Sequence, residues 1–246
     1  MHQFEIAPIL EPFIKTDTLE IGLTNSAAAM IAASLSITAL MILSMSGRAV
    51  IPGRLQSIAE LSYEFVANMI RDTAGTAGMR FMPFVFSLFM FILIGNLIGM
   101  FPYAFTFTSH IIVTFALAAT VILSVLVIGF AKHGLGFLRL FAPSGLPVLL
   151  LPAIVVIEII SFLTRPVSLS VRLFANMLAG HTMLKVFAGF VSSLSALGTI
   201  GIIGAIVPLA GTLAITALEF LVAFLQAYIF AILTCIYLND ALHPAH

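Results

Sequence analysis

Four side chains stand out as able to do chemistry, Arg172, His181, Glu219 and Gln226, because each interrupts sequence apolar enough to be membrane. A guanidinium does not give up its proton, so Arg172 carries a permanent charge. In hydrocarbon such a charge costs several kcal/mol and survives only against protein, water or a counter-ion, which marks Arg172 as a functional site whose partner must be found. Glu219, His181 and Glu158 titrate and can pass protons. Arg172 cannot, but it can hold a nearby carboxylate ionised and, by repulsion, block proton leakage between two half-paths.

Spacing sorts these groups. At about 100° per residue, Ser168, Arg172, Ala175, Asn176, Ala179 and Met183 share one helical face, a single charge framed mostly by small side chains. Such a surface suits a partner helix that approaches closely or moves past. His181 falls about 180° from Arg172 and points elsewhere. Glu219 and Gln226 lie on a common face with Thr212, Thr216 and Ala223 nearby, a polar stripe through apolar sequence. If the two helices that carry these residues pack antiparallel, Glu219 approaches His181 and Gln226 approaches Arg172. Structural alternatives stay open. Arg172 can pair with Glu158 or Glu219, and Glu219 with His181 can be a satisfied core pair. Gln226 and Asn176 can merely join helices by hydrogen bonds, and Asn96 lies on a path or in packing. Glu158 either lines a water path or pairs with Arg165. Lys185 snorkels, and His110 is a loop residue.

The elements that position these groups follow from composition. Of 246 residues, 61% are hydrophobic and 8% charged, with zero net charge and a mean hydropathy of +1.21. There is too little polar surface to cover a water-soluble globule, and the unbroken apolar runs exclude the short alternating segments of a barrel. The expected fold is an all-α integral membrane protein with about five to six membrane helices, two of them long and strongly tilted near the C-terminus, plus one interfacial amphipathic helix. It reads as one membrane domain over 1–246: an external segment at 1–25, a first span at 26–47, the amphipathic helix at 52–72, a hairpin at 81–131 and the channel-bearing helices at 147–239. Leu55, Ile58, Leu61, Phe65 and Met69 recur three or four apart in that amphipathic stretch, as expected at an interface. Arg48, Arg54, Arg71 and Arg80, and later Lys132 and Arg139, put their loops on the cytoplasmic side and the N-terminus outside.

Proline punctuation divides the C-terminal part into a helix at 147–164, a second opened by Pro166 and running to about Leu194, a turn around Ser192–Gly198, and a last helix from near Gly201 to Tyr237. The second is roughly 44 Å long and the last roughly 55 Å, against a hydrocarbon core of about 30 Å, so both must tilt steeply or kink, the last at Pro208.

No phosphate-binding loop, zinc spacing or nucleophile elbow is present, so neither nucleotide binding, nucleic-acid binding, a metal nor an organic cofactor is expected. Cys235 stands alone, which leaves no internal disulfide and a small core residue. No removable targeting signal is evident, which favours a bacterial inner membrane over a mitochondrial one.

The run P-V-S-L-S-V-R-L-F-A-N-M-L-A-G-H at Pro166–His181, followed by Glu219 and Gln226, resembles subunit a of the F-type ATP synthases, over nearly the whole chain. The resemblance implies a stator half-channel beside a ring of c subunits, together with b-type peripheral stalk subunits and the remainder of the F1Fo complex. It makes Arg172 the essential arginine facing the rotor. Asn176, His181, Glu219 and Gln226 become the outer half-channel or rotor contact, and Glu158 a member of the inner half-channel. The imidazole at 181 and the acid at 219 resemble the mitochondrial and α-proteobacterial arrangement. No acid follows Asn96, so the outer path is expected to lean on water, Asn96 and His110. The competing classes are an independent proton-coupled transporter, which should show inverted repeats and broken helices, and a structural scaffold.

Overall fold

The computed structural model describes residues 14–16, 19–46, 52–101, 105–141 and 151–243. Most of the acidic N-terminal segment, Arg48 and the expected helix start at 147 lie outside them. Six α-helices dominate: α1 (Asn25–Met45), α2 (Arg54–Gly78), α3 (Met82–Gly99), α4 (Ile111–His133), α5 (Leu151–Ser195) and α6 (Thr199–Leu242). Ahead of α1, β1 (Ile14–Thr16) and β2 (Leu19–Ile21) form a small antiparallel hairpin with Lys15 opposite Glu20, an addition to the all-helical expectation. Among the described residues, five stretches are long and apolar enough to cross a bilayer. Large apolar side chains such as Leu35, Ile112, Leu123 and Val207 are exposed on them. A protein that exposes so much hydrocarbon on several spans is a multi-pass membrane protein.

α1 starts where the Thr24 side chain accepts a hydrogen bond from the Ala27 amide, satisfying one of the amides that a helix start leaves without a partner. α2 has two fates along its length. Its N-terminal half leaves Leu55, Ile58 and Leu61 exposed, whereas Val66, Ala67, Met69, Ile70 and Ala74 enter the core. Tilted ring contacts of Phe65 with Phe89, Phe224 and Tyr228, with centroids 5.7–5.8 Å apart, join α2, α3 and α6.

α6 is the central packing element, touching α2, α3, α4 and α5. The reason is legible in its sequence. Ala223, Ala227, Ala231 and Cys235 recur every fourth residue and are fully buried, so neighbouring backbones come close along one stripe. Val85, Phe89 and Ile92 of α3, Val121 and Val125 of α4, and Leu169 and Leu173 of α5 fill the space around it.

The expected break at Pro166 does not occur. α5 continues through it as one helix of 45 residues. Proline removes the amide that the Phe162 carbonyl would accept from, which in water favours a helix boundary. Here Phe162 and Leu169, on either side of the proline, are both buried, and packing of long helices in a membrane bundle tolerates the lost bond. α6 likewise runs through Pro208 over 44 residues. At about 1.5 Å per residue each helix exceeds 60 Å, longer than expected from the sequence. The turn between them falls where the serine-rich stretch places it, at Ala196–Gly198, and Gly198 adopts φ +83°, a left-handed conformation that a Cβ disfavours.

Candidate functional site

α5 presents two faces with different surroundings. Phe162, Leu169, Ser170, Leu173, Met177 and His181 form its buried stripe. Ser168, Arg172, Ala175, Asn176, Ala179 and Met183 are all exposed, which reproduces the face drawn from the wheel. Among the described residues, no ion pair or hydrogen bond reaches the Arg172 guanidinium. Neither structural pair proposed for it, with Glu158 or with Glu219, is formed. The counter-charge that a membrane arginine needs is therefore not supplied by the described part of this chain.

Behind that face lies a buried polar cluster. His181 Nδ1 is 3.7 Å from Glu219 Oε1, and the two side chains are 8% and 3% exposed. Gly180 makes the approach possible, since a Cβ there would lie 2.7 Å from Glu219 Oε1 and 3.0 Å from its Cδ. On the other side of the ring, Nε2 is 3.1 Å from Thr106 Oγ1. Asn96, fully buried on α3, donates from Nδ2 to the Ala223 carbonyl at 3.3 Å, one turn beyond Glu219 on α6. Gln226 is buried one turn farther on. No hydrogen bond joins it to Arg172, so of the two contacts expected between the long helices, Glu219 with His181 forms and Gln226 with Arg172 does not.

The chain between α3 and α4 closes this cluster. Phe107–Ser109 forms a single tight helical turn whose three side chains are buried, and Thr106 Oγ1 donates to the Gly99 carbonyl at 3.1 Å. His110 stacks on Phe105 with ring centroids 5.1 Å apart, and burial lowers its pKa below the ordinary imidazole value. Asn96 Oδ1, Thr108 Oγ1, His110 Nε2 and both Glu219 oxygens are buried without a hydrogen-bond partner among the described residues. Buried polar atoms are normally satisfied, often by bound water, so these five atoms mark a polar rather than a hydrocarbon-like interior.

A second polar cluster occupies the other end of the α5–α6 pair. Arg165 Nη1 donates to Asp240 Oδ2 at 3.1 Å, and its Nη2 is 3.8 Å from Glu158 Oε1. Its guanidinium also lies over the rings of Tyr237, at 4.8 Å, and Phe162, at 5.6 Å. Of the two readings left open for Glu158, the pair with Arg165 is present, and Glu158 remains 34% exposed. Nearby, Lys132 Nζ donates to the Leu242 carbonyl and His133 Nε2 contacts the same oxygen, both at 3.1 Å, which ties the end of α6 to α4.

Two participants escaped sequence reasoning. Thr106 lies in the link between the two helices of the expected hairpin, and Asp240 lies just beyond the expected end of the last helix at Tyr237. The polar run T-F-T-S-H at 106–110, set between two apolar helices, was the available signal for the first. Nothing local pointed to the second, because its partner is 75 residues away.

Comparison with known proteins supplies relatives over the full length. The sequence model of the family described as ATP synthase A chain matches residues 27–239. A protein of Chelativorans sp. (strain BNC1) named ATP synthase subunit a is 62% identical over 246 residues, covering 100% of this chain and 98% of the relative. The subunit a of Mesorhizobium japonicum is 61% identical over the same 246 residues, with 97% of its length covered. A protein of Brucella anthropi named ATP synthase subunit a 1 is also 61% identical over 246 residues, with 98% covered.

Proposed function

The chain belongs to the ATP synthase A chain family, and from that premise we propose how its two polar clusters and its one outward charge divide the work of the Fo stator. As subunit a it is a proton-translocating component of the F1Fo complex, a multi-pass membrane protein that supports ATP synthesis carried out on other subunits.

The observation that carries the assignment is the outward-facing Arg172, unpaired among the described residues, on the face opposite the buried His181–Glu219 pair. A ring of c subunits, each with a carboxyl group at mid-membrane depth, is the partner that this face fits. Ala175 and Ala179 keep the surface low enough for rotor helices to slide past, with Ser168 and Asn176 as polar contacts on the same face. Arg172 attracts each arriving carboxylate and holds it ionised, and its fixed charge stops a proton from crossing directly between half-channels. The outer half-channel runs through the water-competent cluster of Asn96, His181, Glu219 and Gln226, with His110 at its mouth. The inner one passes Glu158 beside Arg165 and Asp240. A proton that enters from outside neutralises a ring carboxylate, is carried round through lipid, and leaves on the inner side. A membrane potential contributes about 2.3 kcal/mol per charge per 100 mV to each passage.

α5 and α6 lie steeply inclined against the ring, since helices over 60 Å long cannot stand upright in a hydrocarbon layer of about 30 Å. The exposed Leu55, Ile58 and Leu61 of α2 rest in the interface, b-type stalk subunits hold the outer helices, and the membrane is a bacterial inner membrane. An independent transporter is disfavoured because α5 and α6 are continuous, without the broken helices such a site is built from. The decisive experiment is Arg172→Ala in the assembled complex, read as proton-driven ATP synthesis in inverted membrane vesicles. Synthesis should be lost while the c and b subunits still co-purify. Full synthesis in that variant would overturn the assignment.

A further inference from the structure

The contacts of Thr106 determine which nitrogen of His181 can exchange a proton. The Thr106 hydroxyl has one hydrogen, and that hydrogen is committed to the Gly99 carbonyl, an acceptor that cannot donate, at 3.1 Å. Toward His181 Nε2, also 3.1 Å away, the same oxygen is left with lone pairs only. Both contacts form together only with Nε2 as the donor, in the neutral ring and in the imidazolium alike. The proton that comes and goes is the one on Nδ1, the nitrogen 3.7 Å from Glu219 Oε1.

We propose that Thr106 is a positioning residue that pins neutral His181 as the Nε2–H tautomer, so that His181 exchanges protons with Glu219 through Nδ1 alone. The chain of bonds runs from the Gly99 carbonyl through the Thr106 hydroxyl and the Nε2–H to the ring, and it ends at Nδ1. Protons therefore do not travel through His181 from one nitrogen to the other. The ring takes a proton on Nδ1 and returns it to the same side, which makes it a reservoir for the Glu219 carboxyl rather than a link in series. The Gly99 carbonyl belongs to the last turn of α3, and Ser109 Oγ donates to the Thr106 carbonyl at 2.6 Å, so the hydroxyl is held at both ends of its segment. The charged and titratable groups that act on the ring are Glu219 from α6 and Lys185 one turn along α5, with His110 four residues beyond Thr106 on the connecting segment. Gly99 is part of the device, because a Cβ there would lie 2.7 Å from Thr106 Oγ1 and 2.6 Å from its Cγ2.

The inference rests on the proton-path reading of His181 and Glu219, and the test separates the two. In the complete complex with 15N-labelled histidine, solid-state NMR of His181, identified by its loss in His181→Ala, should show the neutral ring protonated on Nε2. A neutral ring protonated on Nδ1 overturns the proposal whatever the activity. In vesicles, Thr106→Val should lower proton-driven ATP synthesis several-fold and displace the midpoint of its pH profile, because Nε2–H loses its acceptor and the tautomer is no longer fixed. Thr106→Ser, which keeps the hydroxyl, should restore both. Gly99→Ala should reproduce the valine effect with Thr106 intact. A Thr106→Val complex with a wild-type rate and pH profile overturns the proposal. If the valine variant does not assemble, the NMR assignment in the wild-type complex decides alone. Wild-type synthesis in His181→Ala would instead remove the underlying proton path, and the tautomer would still be read from the spectrum.

Discussion

The two ends of the α5–α6 pair treat polar side chains in opposite ways. At one end Arg165 lies within 4 Å of both Asp240 and Glu158 and covers the Tyr237 ring. At the other, Glu219 lies against an imidazole, and buried polar atoms of Asn96, Thr108, His110 and Glu219 have no hydrogen-bond partner among the described residues. The first arrangement is half-exposed and electrostatically settled. The second is buried, and its polar atoms are not all satisfied by the described side chains and backbone. Arg172 lies between the two in sequence, on the face of α5 that also carries Arg165 seven residues earlier and opposite His181, and its guanidinium makes no ion pair or hydrogen bond among the described residues.

The sharpest way to break the contrast is to remove the titrating group. Glu219→Gln keeps the shape and the buried polar end but cannot exchange a proton. Proton-driven ATP synthesis in vesicles should fall by about a hundredfold or more, in the range that positioned acid–base groups contribute. Retention of even half of the wild-type rate would mean that the buried cluster is only structural.

A smaller effect is expected from the space that the pair occupies. Gly180→Ala places a methyl group against the Glu219 carboxyl, and overpacking of this kind costs about 1–3 kcal/mol. The complex should assemble with a lower melting temperature and reduced synthesis. A second change of Glu219→Asp, which shortens the acid by one methylene, should recover part of the thermal stability. Absence of any melting shift would show that Glu219 has room to move aside.

The smallest effect belongs to the paired end. Arg165→Gln leaves Asp240 and Glu158 without their shared cation. Because these side chains are 21–34% exposed, the loss should be only about 0.2–1 kcal/mol, and smaller at high salt. Thermal melting of the complex at low and high ionic strength measures it. A loss as large as that of Gly180→Ala, and insensitive to salt, would erase the distinction between the two ends.

What was readable in advance was local. The Arg172 face and its separation from His181 follow from the 100° period of one helix, and that face is exposed as drawn. The Glu219–His181 contact followed from the register of two antiparallel helices meeting at a predicted turn. The missing Gln226–Arg172 contact shows the limit of that register, because one face of α6 cannot meet two opposed faces of α5. The continuity of α5 through Pro166 was unreadable because punctuation rules weigh a single residue, whereas buried neighbours on both sides of the proline decide whether the helix goes on.

By itself, then, the sequence determined that this chain crosses the membrane several times on helices and that Arg172 shares a helical face with small side chains, opposite His181. Hydropathy over twenty residues and helical period depend on neighbours along the chain. Tertiary structure alone decided that Thr106 meets His181 across 75 positions, that Arg165 meets Asp240 across another 75, and that Asn96 meets the Ala223 carbonyl across 127. These contacts depend on how the 105–110 segment folds inward and on how closely the small-residue stripe of α6 lets its neighbours approach. No local period encodes either.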